Sequence, residues 1–490
     1  MRHPHETKVY KMKTTIYTLP VILPFVSISI PIHIYAQSKT ENKKPNVLFI
    51  IVDDLRPELG CYGVNEIKTP NIDQLAAKSI VFKNAYCNIP VSGASRASLF
   101  TGMYPKFPDR FQHFSSRANV DAPNAIPFNR IFTENGYYTI SNGKVFHHID
   151  DHADSWSEPP FRTHPEGYDV YNYIYNRWEM WLDPESGKYI NPKTLRGPFY
   201  EKAEVPDSAY DDGKLTLKTM HDLKRLKAMD NPFFLACGFW KPHLPFNAPK
   251  KYWDMYDEDK ITLPTNRFRP KNLPNEVQNS KEIYSYSKVK EPEDNNYLKT
   301  VIHGYYACVS YIDAQIGMIL HELKELELDK NTIIFILGDN GWNLGEHNFI
   351  GKHNLMKTST QIPLIVHIPW LKRGETFSIV ELVDIYPTLC DLCNIPTPKN
   401  QLHGKSFISI LENPKTKTKK YAFIQWEEGY CIMDNRYNYA EWQKSNHKKT
   451  IMIFDHNRDP QENKNSSTKF RYKRTIKKLS KRIVRIKEIL

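Results

Sequence analysis

This sequence of 490 residues contains only seven cysteines, an odd number without the regular spacing of a disulfide framework. A domain of this size does not need disulfide bonds to be stable. The one close pair, Cys390 and Cys393, lies in an apolar helical pattern and has no second Cys or His pair to complete a metal site. A redox or metal pair is the alternative interpretation, but we expect two small buried residues here.

The middle of the sequence has no excess charge. The net charge is +12, of which residues 1–36 carry +3 and residues 469–490 carry +9. The basic residues at the two ends therefore do not indicate a nucleic-acid partner for the segment between them. The C-terminal segment has apolar residues at helical spacing, which predicts a docked amphipathic helix with a solvated basic face. The apolar positions are Ile476, Leu479, Ile483, Ile486 and Leu490.

The sequence also lacks an uninterrupted apolar run of membrane-spanning length. Three prolines interrupt the apolar residues 18–35, which makes an uncleaved membrane span the poorer alternative. Lys11 and Lys13 precede this run and Ala36 offers a cleavage point, so we predict a signal peptide over residues 1–36. The mature protein is then expected to be periplasmic or secreted, without a membrane span or a lipid anchor.

Hydrophobic residues make up 40% and charged residues 25% of the chain, so it can bury a large core. Disorder, collagen and coiled coil are excluded as its main character. Short apolar runs alternate with helical patterns such as residues 71–78 and 305–326, which predicts an α/β fold with a parallel sheet covered by helices. The predicted buried strands are residues 46–52, 137–140, 233–239 and 332–337.

We predict a main domain over residues 37–400 that follows the signal peptide. After residue 400 the sequence changes to short alternating segments joined by turns. This change predicts a smaller C-terminal α+β subdomain over residues 401–490, with a small antiparallel sheet and a terminal helix. The polar segment 266–296 is rich in Pro, Asn, Lys and Glu and is expected to form a long surface loop.

Each predicted strand is followed by polar, ionisable residues. Ligands bind beyond the carboxyl ends of strands in an open α/β sheet, so four strands that deliver such groups to one edge predict a site there. Any one of these groups alone would be a weak signal. The groups are Asp53 and Asp54, Lys144 and His147, His243, and Asp339 and Asn340.

The composition of this set indicates its chemistry. Four of its residues supply hard oxygen ligands without Cys or His, a combination that suits Ca²⁺ or Mg²⁺ and does not suit Zn²⁺. These residues are Asp53, Asp54, Asp339 and Asn340. The surrounding side chains are cationic or potentially cationic and point to an anionic substrate. They are Lys144, His147, His243 and Lys352.

Ser92 begins the segment Ser92-Gly-Ala-Ser-Arg96, which is followed by Thr101-Gly102. We predict a short helix that starts at Ala94 and ends at Gly102, with Ser92 at its N-terminus, where backbone amides and the helix dipole favour negative charge. The alternative is that Ser92 only caps the helix. An esterase nucleophile fits poorly because Gly-x-Ser-x-Gly is absent.

The segment from Ser92 to Gly102 resembles the signature of the sulfatase family of the alkaline-phosphatase superfamily, which is (Cys or Ser)-x-(Pro or Ala)-Ser-Arg followed by Thr-Gly. The resemblance extends from Lys44 to Asn463. Three further motifs are most similar to the iduronate-2-sulfatase branch, which bacterial polysaccharide sulfatases share. These motifs are Gly143-Lys-Val-Phe-His147, Lys241-Pro-His243 and Gly341-Trp-Asn-Leu-Gly-Glu-His347.

This resemblance implies an alkaline-phosphatase-like α/β fold with a mixed, mainly parallel sheet sandwiched by helices. It also implies a sulfuric ester hydrolase that removes O-sulfate groups from a sulfated carbohydrate. It implies that Ser92 is oxidised to formylglycine (3-oxoalanine), whose hydrate is the nucleophile. It also implies one Ca²⁺ per chain, with Mg²⁺ as the alternative. The implied metal ligands are Asp53, Asp54, Asp339, Asn340 and residue 92.

The resemblance also implies a role for each remaining site residue. Arg96 would hold the formylglycine hydrate, and Lys144 and Lys352 would hold the sulfate oxygens. His243 would protonate or orient the leaving alcohol. His147 would take a proton from the sulfated diol, so that sulfate is expelled and the aldehyde returns.

A Ser in place of the commoner Cys implies a bacterial source and a partner, an anaerobic-type sulfatase-maturating enzyme that acts on Ser92. The expected substrate is a sulfated polymer or oligosaccharide such as ulvan, carrageenan or a glycosaminoglycan, on whose rings Trp240 and Trp342 are expected to stack.

Two alternative functions stay open. One is a phosphatase or phosphodiesterase of the same superfamily that uses unmodified Ser92, and the other is a non-catalytic protein that binds sulfated glycans.

Overall fold

The apolar run Asn46–Val52 forms a strand at the centre of the main sheet, and all seven of its residues are buried. Its side chains alternate between two hydrophobic cores. Val47, Phe49 and Ile51 belong to one core, and the apolar residues between and after them belong to the other. A strand that is buried on both faces is apolar at almost every position, which explains why this run shows no polar alternation.

The structure is a computed structural model that describes residues 11–13, 44–163, 181–229, 231–443 and 449–490. Its strands are β1 (Asn46–Val52), β2 (Ile80–Tyr86), β3 (Tyr138–Gly143), β4 (Tyr200–Glu201), β5 (Phe233–Phe239), β6 (Phe246–Asn247), β7 (Thr332–Gly338), β8 (Asn343–Leu344), β9 (Ile350–Gly351), β10 (Gln361–His367), β11 (Gly374–Glu381), β12 (Ala422–Trp426), β13 (Gly429–Met433), β14 (Tyr437–Gln443) and β15 (Lys449–Asp455). Its helices are α1 (Pro70–Ala76), α2 (Ser92–Thr101), α3 (Ala118–Asp121), α4 (Phe128–Glu134), α5 (Asp211–Met229), α6 (Lys250–Trp253), α7 (Asn295–Glu325), α8 (Lys357–Thr360), α9 (Ile385–Leu392), α10 (Ile408–Glu412) and α11 (Lys473–Lys487).

Seven strands form the main sheet in the order β11-β2-β10-β7-β1-β5-β3. β10 runs antiparallel to its neighbours β7 and β2, whereas the other neighbouring pairs are parallel. Helices α1, α5 and α7 pack on one face of the sheet, and α2, α4 and α9 pack on the other. The predicted α/β fold with a mainly parallel sheet between helices is therefore confirmed. The carboxyl ends of β1, β3, β5 and β7 share one edge.

The four predicted buried strands correspond to β1, β3, β5 and β7, and the predicted helix at residues 71–78 corresponds to α1. The helix predicted at residues 305–326 is longer than expected, because α7 already begins at Asn295. Its start is set by Asp294, whose side chain accepts a hydrogen bond from the N–H of Tyr297 at 3.0 Å. Such a cap satisfies a helix amide that would otherwise have no partner.

A second sheet lies in the C-terminal part of the chain, as predicted. Strands β12, β13, β14 and β15 form an antiparallel sheet in sequence order. The helix α11 packs against this sheet through Leu479, Ile483 and Ile486, which share a core with Ile432 and Tyr439. Most of the basic side chains of α11 are exposed. The predicted docked amphipathic helix is therefore confirmed.

Residues 44–490 form one compact unit that contains both sheets, and the domain boundary at residue 400 stays a prediction. The signal peptide predicted over residues 1–36 lies outside the described residues, except for residues 11–13. In the part of the chain that the structure describes, no helix is long and apolar enough to cross a membrane. Cys390 and Cys393 are buried free thiols, in agreement with their interpretation as small core residues.

We expect Ile483→Ala to lower the free energy of unfolding by about 2–5 kcal/mol, because it leaves a cavity between α11 and the C-terminal sheet. Ile483 is fully buried, whereas its neighbour Val484 is 45% exposed. Val484→Ala is therefore a matched control, with an expected change of about 0.5 kcal/mol or less. Urea unfolding followed by circular dichroism measures both variants. Equal losses in the two would contradict the docking of α11.

Candidate functional site

Two neighbouring strands deliver four oxygen-bearing side chains to the same edge of the sheet. Asp53 and Asp54 follow β1, and Asp339 and Asn340 follow β7. The two strands pair in parallel along their whole length, so the residues that follow them meet. All four side chains are buried, and the three carboxylates have oxygen atoms within 4.8 Å of one another. The sequence prediction that these residues come together is confirmed.

The backbone of Asp54 is held in a left-handed conformation with a φ of 60°. Its N–H donates to Asp339 Oδ1 at 3.0 Å, and its carbonyl oxygen accepts a hydrogen bond from the hydroxyl of Tyr305 at 2.8 Å. Positive φ is uncommon outside glycine, and Asp is one of the few residues that tolerate it. The turn after β1 is thus fixed from the end of β7 and from α7, which sets the place of the Asp54 carboxylate.

Ser92 is the first residue of α2, two residues before the predicted start at Ala94. The preceding residue, Val91, has an extended backbone and occupies the capping position. The hydroxyl of Ser92 donates to Asp53 Oδ1 at 2.7 Å and lies 3.3 Å from Asn340 Oδ1. The alternative that Ser92 only caps the helix is therefore wrong, because its side chain faces the carboxylate cluster.

The helix α2 is buried over its whole length, and Gly102 ends it with a φ of 66°, as predicted. Gly93 lies directly against the backbone of Phe114. A Cβ atom at residue 93 would come within 1.9 Å of the Phe114 carbonyl oxygen, so only glycine fits there. The glycine after Ser92 thus allows a second segment of backbone to pack on the N-terminus of α2.

Arg96 connects α2 to the carboxylates. It lies four residues after Ser92 and therefore on the same face of the helix. Its Nε donates to Asp339 Oδ2 at 2.8 Å, and one terminal nitrogen lies 3.4 Å from Asp53 Oδ1. The side chain is fully buried. The guanidinium thus holds the helix against the ends of β1 and β7 and places its charge beside Ser92.

Two lysines pair with the same carboxylates. Lys144, which follows β3, forms an ion pair with Asp53. Lys352, which follows β9, has its Nζ 2.5 Å from Asp54 Oδ1 and 3.4 Å from the Ser92 hydroxyl oxygen. Both lysines are buried. The two residues predicted to hold sulfate oxygens therefore lie next to Ser92 or its nearest carboxylate.

The carboxylates of the cluster differ in their electrostatics. Burial raises the pKa of Asp53, but Lys144 and other nearby cations more than offset this effect, so the pKa lies well below its usual value. Burial dominates at Asp54 and raises its pKa to about 6. Burial also raises the pKa of Asp339. A bound divalent cation would stabilise the ionised form of all three.

The donor set fits a hard divalent cation. Asp54 Oδ2 is buried and has no hydrogen-bond partner among the described residues. A buried carboxylate oxygen without a partner costs free energy unless a ligand satisfies it. The neighbouring donors are carboxylate, amide and hydroxyl oxygens, which Ca²⁺ and Mg²⁺ prefer. They belong to Asp53, Asp339, Asn340 and Ser92.

His243 lies in the site as predicted, but the sequence analysis missed its partner Glu282. His243 Nε2 is 2.9 Å from Glu282 Oε1 and 3.8 Å from Asp54 Oδ2. The other oxygen of Glu282 lies 3.8 Å from Lys352 Nζ. Glu282 belongs to the segment 266–296, so this segment forms part of the site and is not only a surface loop. No local pattern marks Glu282, because its contacts are with residues far away in the sequence.

A buried lysine supports the turn that carries His243. Lys241 Nζ donates to the carbonyl oxygens of His243 at 3.2 Å and of Pro245 at 2.6 Å. His243 Nδ1 lies 2.7 Å from the carbonyl oxygen of Leu244. The motif Lys-Pro-His therefore contains a structural lysine and a histidine whose Nε2 points toward the carboxylates.

His147 is buried in the segment that follows β3. Its ring centroid lies 6.4 Å from that of Phe114 and 4.8 Å from that of His148. Burial lowers the pKa of His147 well below its usual value, and Lys144 lowers it further. Burial and the nearby ammonium group therefore favour the neutral form of the imidazole. Its role as the proton acceptor of the reaction stays a prediction.

Trp240 and Trp342 do not lie where a sugar ring can stack on them. Trp342 is fully buried, and Trp240 is only 5% exposed. The ring of Trp240 is covered by Lys144 Nζ at 4.8 Å and by the guanidinium of Arg162 at 5.2 Å from its centroid. The expected stacking is therefore wrong. These aromatic residues pack beneath the site and hold its cations.

The arrangement is typical of a metal-dependent hydrolase that acts on an anionic ester. A side-chain oxygen lies at a helix N-terminus, beside a cluster of oxygen donors suited to a hard metal ion and within reach of several buried cations. These groups stabilise negative charge on an attacking oxygen and on the oxygens of a bound anion.

A family model described as Sulfatase matches residues 45–395, and one described as N-sulphoglucosamine sulphohydrolase, C-terminal, matches residues 345–489.

Individual proteins are similar over most of the chain. Iduronate 2-sulfatase of Homo sapiens is 32% identical over 468 residues, which cover 85% of this chain and 81% of the human protein. A solved complex of a protein with its substrate D-glucosamine-2-N,6-O-disulfate superposes with a TM-score of 0.68 at 20% identity, over 91% of this chain and 98% of that one. Phosphonate monoester hydrolase of Agrobacterium radiobacter superposes with a TM-score of 0.73 at 20% identity, over 91% and 96% of the two chains.

The chain belongs to the sulfatase family. Its members are sulfuric ester hydrolases, and its fold is that of the alkaline-phosphatase superfamily. The resemblance drawn from the motifs around Ser92, Lys144, His243 and Asn340 is therefore confirmed. The roles of the individual residues are taken up below as proposals.

We expect Arg96→Met to lower the free energy of unfolding by about 3–5 kcal/mol, because it leaves buried carboxylates without their cation. Arg130→Met is the control, since Arg130 is 36% exposed and its partner Asp154 is 73% exposed. Exposed pairs contribute about 1 kcal/mol or less. Chemical denaturation at neutral pH measures both variants. A loss for Arg96→Met no larger than that for Arg130→Met would show that the cluster does not depend on this charge.

Proposed function

We propose that this protein is an exported bacterial sulfatase that removes O-sulfate groups from a sulfated polysaccharide or oligosaccharide, with a formylglycine derived from Ser92 as its nucleophile. The observation that carries the proposal is the position of the Ser92 oxygen. It lies 2.7 Å from Asp53 Oδ1 and 3.4 Å from Lys352 Nζ, at the N-terminus of α2. Negative charge that develops on an oxygen at this position is stabilised by the helix and by the cation.

The modification of Ser92 overcomes the weakness of a serine hydroxyl as a nucleophile at neutral pH. An anaerobic-type sulfatase-maturating enzyme acts as the oxidant: it takes two electrons and two protons from the side chain and leaves an aldehyde, which adds water to form a geminal diol. One hydroxyl of the diol attacks sulfur, and the sugar alcohol leaves with a proton. The second hydroxyl then loses its proton, sulfate departs and the aldehyde returns, so each turnover consumes one water.

The surrounding side chains take part in these steps as follows. Arg96 holds the diol, and Lys144 and Lys352 bind the sulfate oxygens. His243 protonates or orients the leaving alcohol. His147, which is buried in the segment after β3, accepts the proton of the second hydroxyl.

One Ca²⁺ per chain, with Mg²⁺ as the alternative, is the metal that the donor set supports. The orphaned Oδ2 of Asp54 and the oxygen donors of the cluster formed by Asp53, Asp54 and Asp339 favour a hard cation. When bound, the ion makes a neighbouring hydroxyl more acidic and offsets charge on the sulfate. Its proposed ligands are Asp53, Asp54, Asp339, Asn340 and residue 92.

A sulfated glycan is the substrate class that the similar proteins support. The human relative is an iduronate 2-sulfatase, and one structural neighbour was solved with a sulfated glucosamine. Export follows from the signal peptide predicted over residues 1–36, which delivers the enzyme to the periplasm or the medium. Polymeric substrates that cannot enter a cell are accessible there.

We expect Ser92→Ala to reduce sulfate release to background while the protein stays folded. The protein is coexpressed with an anaerobic-type maturating enzyme and assayed on 2-O-sulfated uronides and on sulfated galactosides. Mass spectrometry of the peptide that contains residue 92 should show the loss of two hydrogens in the wild type. Full activity of Ser92→Ala would contradict the mechanism. Release of phosphate from phosphate esters without release of sulfate would favour the phosphatase alternative.

We expect the purified protein to contain one Ca²⁺ per chain and Asp339→Ala to contain at least about 10-fold less. Asp339 is one of the three clustered carboxylates, whereas Asp391 is exposed on α9, so Asp391→Ala is the control. Elemental analysis after dialysis gives the metal content of each variant. Chelation should abolish activity, and added Ca²⁺ should restore it. Activity that persists in protein shown to be free of metal would contradict the assignment.

A further inference from the structure

The carboxylate of Glu282 lies between two side chains that face the substrate in the proposed function. Its Oε1 is 2.9 Å from His243 Nε2, and its Oε2 is 3.8 Å from Lys352 Nζ. His243 is assigned to the leaving alcohol and Lys352 to the sulfate group. A carboxylate between them therefore lies beside the ester bond that breaks and beside the sugar carbons next to it.

One oxygen of this carboxylate has no hydrogen-bond donor. Glu282 Oε2 is buried and accepts no hydrogen bond from any residue that the structure describes. Its distance of 3.8 Å from Lys352 Nζ is longer than a hydrogen bond. The side chain as a whole is 18% exposed, so part of it borders the solvent-filled space above the site. A buried acceptor without a donor costs roughly 1–3 kcal/mol, which a donor on the substrate recovers.

A second metal ion is the competing explanation for this oxygen. Asp54, His243 and Glu282 offer ligand atoms within 4.8 Å of one another. However, Asp54 is already a proposed ligand of the Ca²⁺, and Lys352 Nζ lies 3.8 Å from Glu282 Oε2. A second divalent cation between Asp54 and Glu282 would lie beside the first ion and be repelled by it. A neutral donor meets no such repulsion, so the contacts favour a hydroxyl group.

The charge of Glu282 restricts what can lie next to it. Burial raises the pKa of Glu282, but Lys352 and His243 more than offset this effect and leave the pKa well below its usual value. An ionised carboxylate is a strong acceptor for a hydroxyl. It repels a second sulfate or a carboxylate at the same position, because like charges meet there in a site with little water.

We propose that Glu282 is a specificity-determining residue that accepts a hydrogen bond from the hydroxyl group next to the sulfate ester. This inference rests on the proposed sulfatase function and narrows its substrate class. The substrate is a sulfated sugar with a free hydroxyl on the neighbouring ring carbon. A sugar that carries a second sulfate on that neighbouring carbon is excluded.

Two matched pairs of substrates test this inference with the matured protein. One pair is methyl α-L-idopyranosiduronate 2-sulfate and its 3-deoxy analogue, and the other is methyl β-D-galactopyranoside 4-sulfate and its 3-deoxy analogue. Ion chromatography of released sulfate gives kcat/KM for each. In the pair that the wild type hydrolyses, we expect a preference of about 100-fold or more for the hydroxylated member, because a site built to bind a hydroxyl rejects the analogue that lacks it.

Three variants show whether this preference depends on Glu282. Glu282→Ala should reduce the preference to about 10-fold or less, and Glu282→Gln, which keeps an acceptor oxygen, should retain part of it. Glu291→Ala changes an exposed acid in the same segment and should keep the whole preference.

The outcomes separate the inference from the function on which it rests. A wild type without a preference, or a preference unchanged in Glu282→Ala, would overturn the inference, because a merely structural role lowers activity on both members of a pair alike. Elemental analysis that finds a second divalent ion in the wild type and not in Glu282→Ala would also overturn it. No sulfate from either hydroxylated sugar would instead contradict the proposed glycan sulfatase function.

Discussion

Mutual repulsion among three buried carboxylates is the constraint on which this site depends. Carboxylates that meet at the ends of β1 and β7 are stable in the interior only if positive charge reaches them. Arg96, Lys144 and Lys352 supply that charge from α2, from the end of β3 and from the segment after β9. The ion pairs that neutralise the cluster therefore also join elements that are far apart in the sequence. The site and the packing around it are consequences of the same electrostatic requirement.

The two cores determine where this cluster lies. β1 is buried on both faces, and its side chains alternate between helices on one side and helices on the other. A shift of one residue would exchange the two sets of side chains, so its register is strongly specified. Asp53 and Asp54 directly follow β1, so the same register fixes their positions. Asp54 is also held in its left-handed turn by hydrogen bonds to Asp339 and Tyr305.

The strand ends could be predicted from the sequence because both their position and their chemistry are local. Asp53 and Asp339 each follow an apolar run, and an open sheet brings such ends together. The start of α2 lies two residues before the predicted one, because the N–H of Ser95 already donates to the carbonyl oxygen of Val91 and the segment carries no strong local signal for this turn. Glu282 could not be predicted, since its segment has no regular periodicity that shows where it packs. The expectation that Trp342 stacks on a sugar ring is wrong because composition does not distinguish an exposed ring from a buried one.

The burial of α2 determines when the side chain of Ser92 is accessible to another enzyme. Ser92 is 2% exposed, and backbone from residues 113–114 covers the glycine beside it. An enzyme that oxidises this side chain, as proposed above, cannot reach it while α2 is packed in this way. The proposed oxidation of Ser92 therefore belongs before folding, and the yield of active enzyme would then depend on the rate of modification relative to the rate of folding.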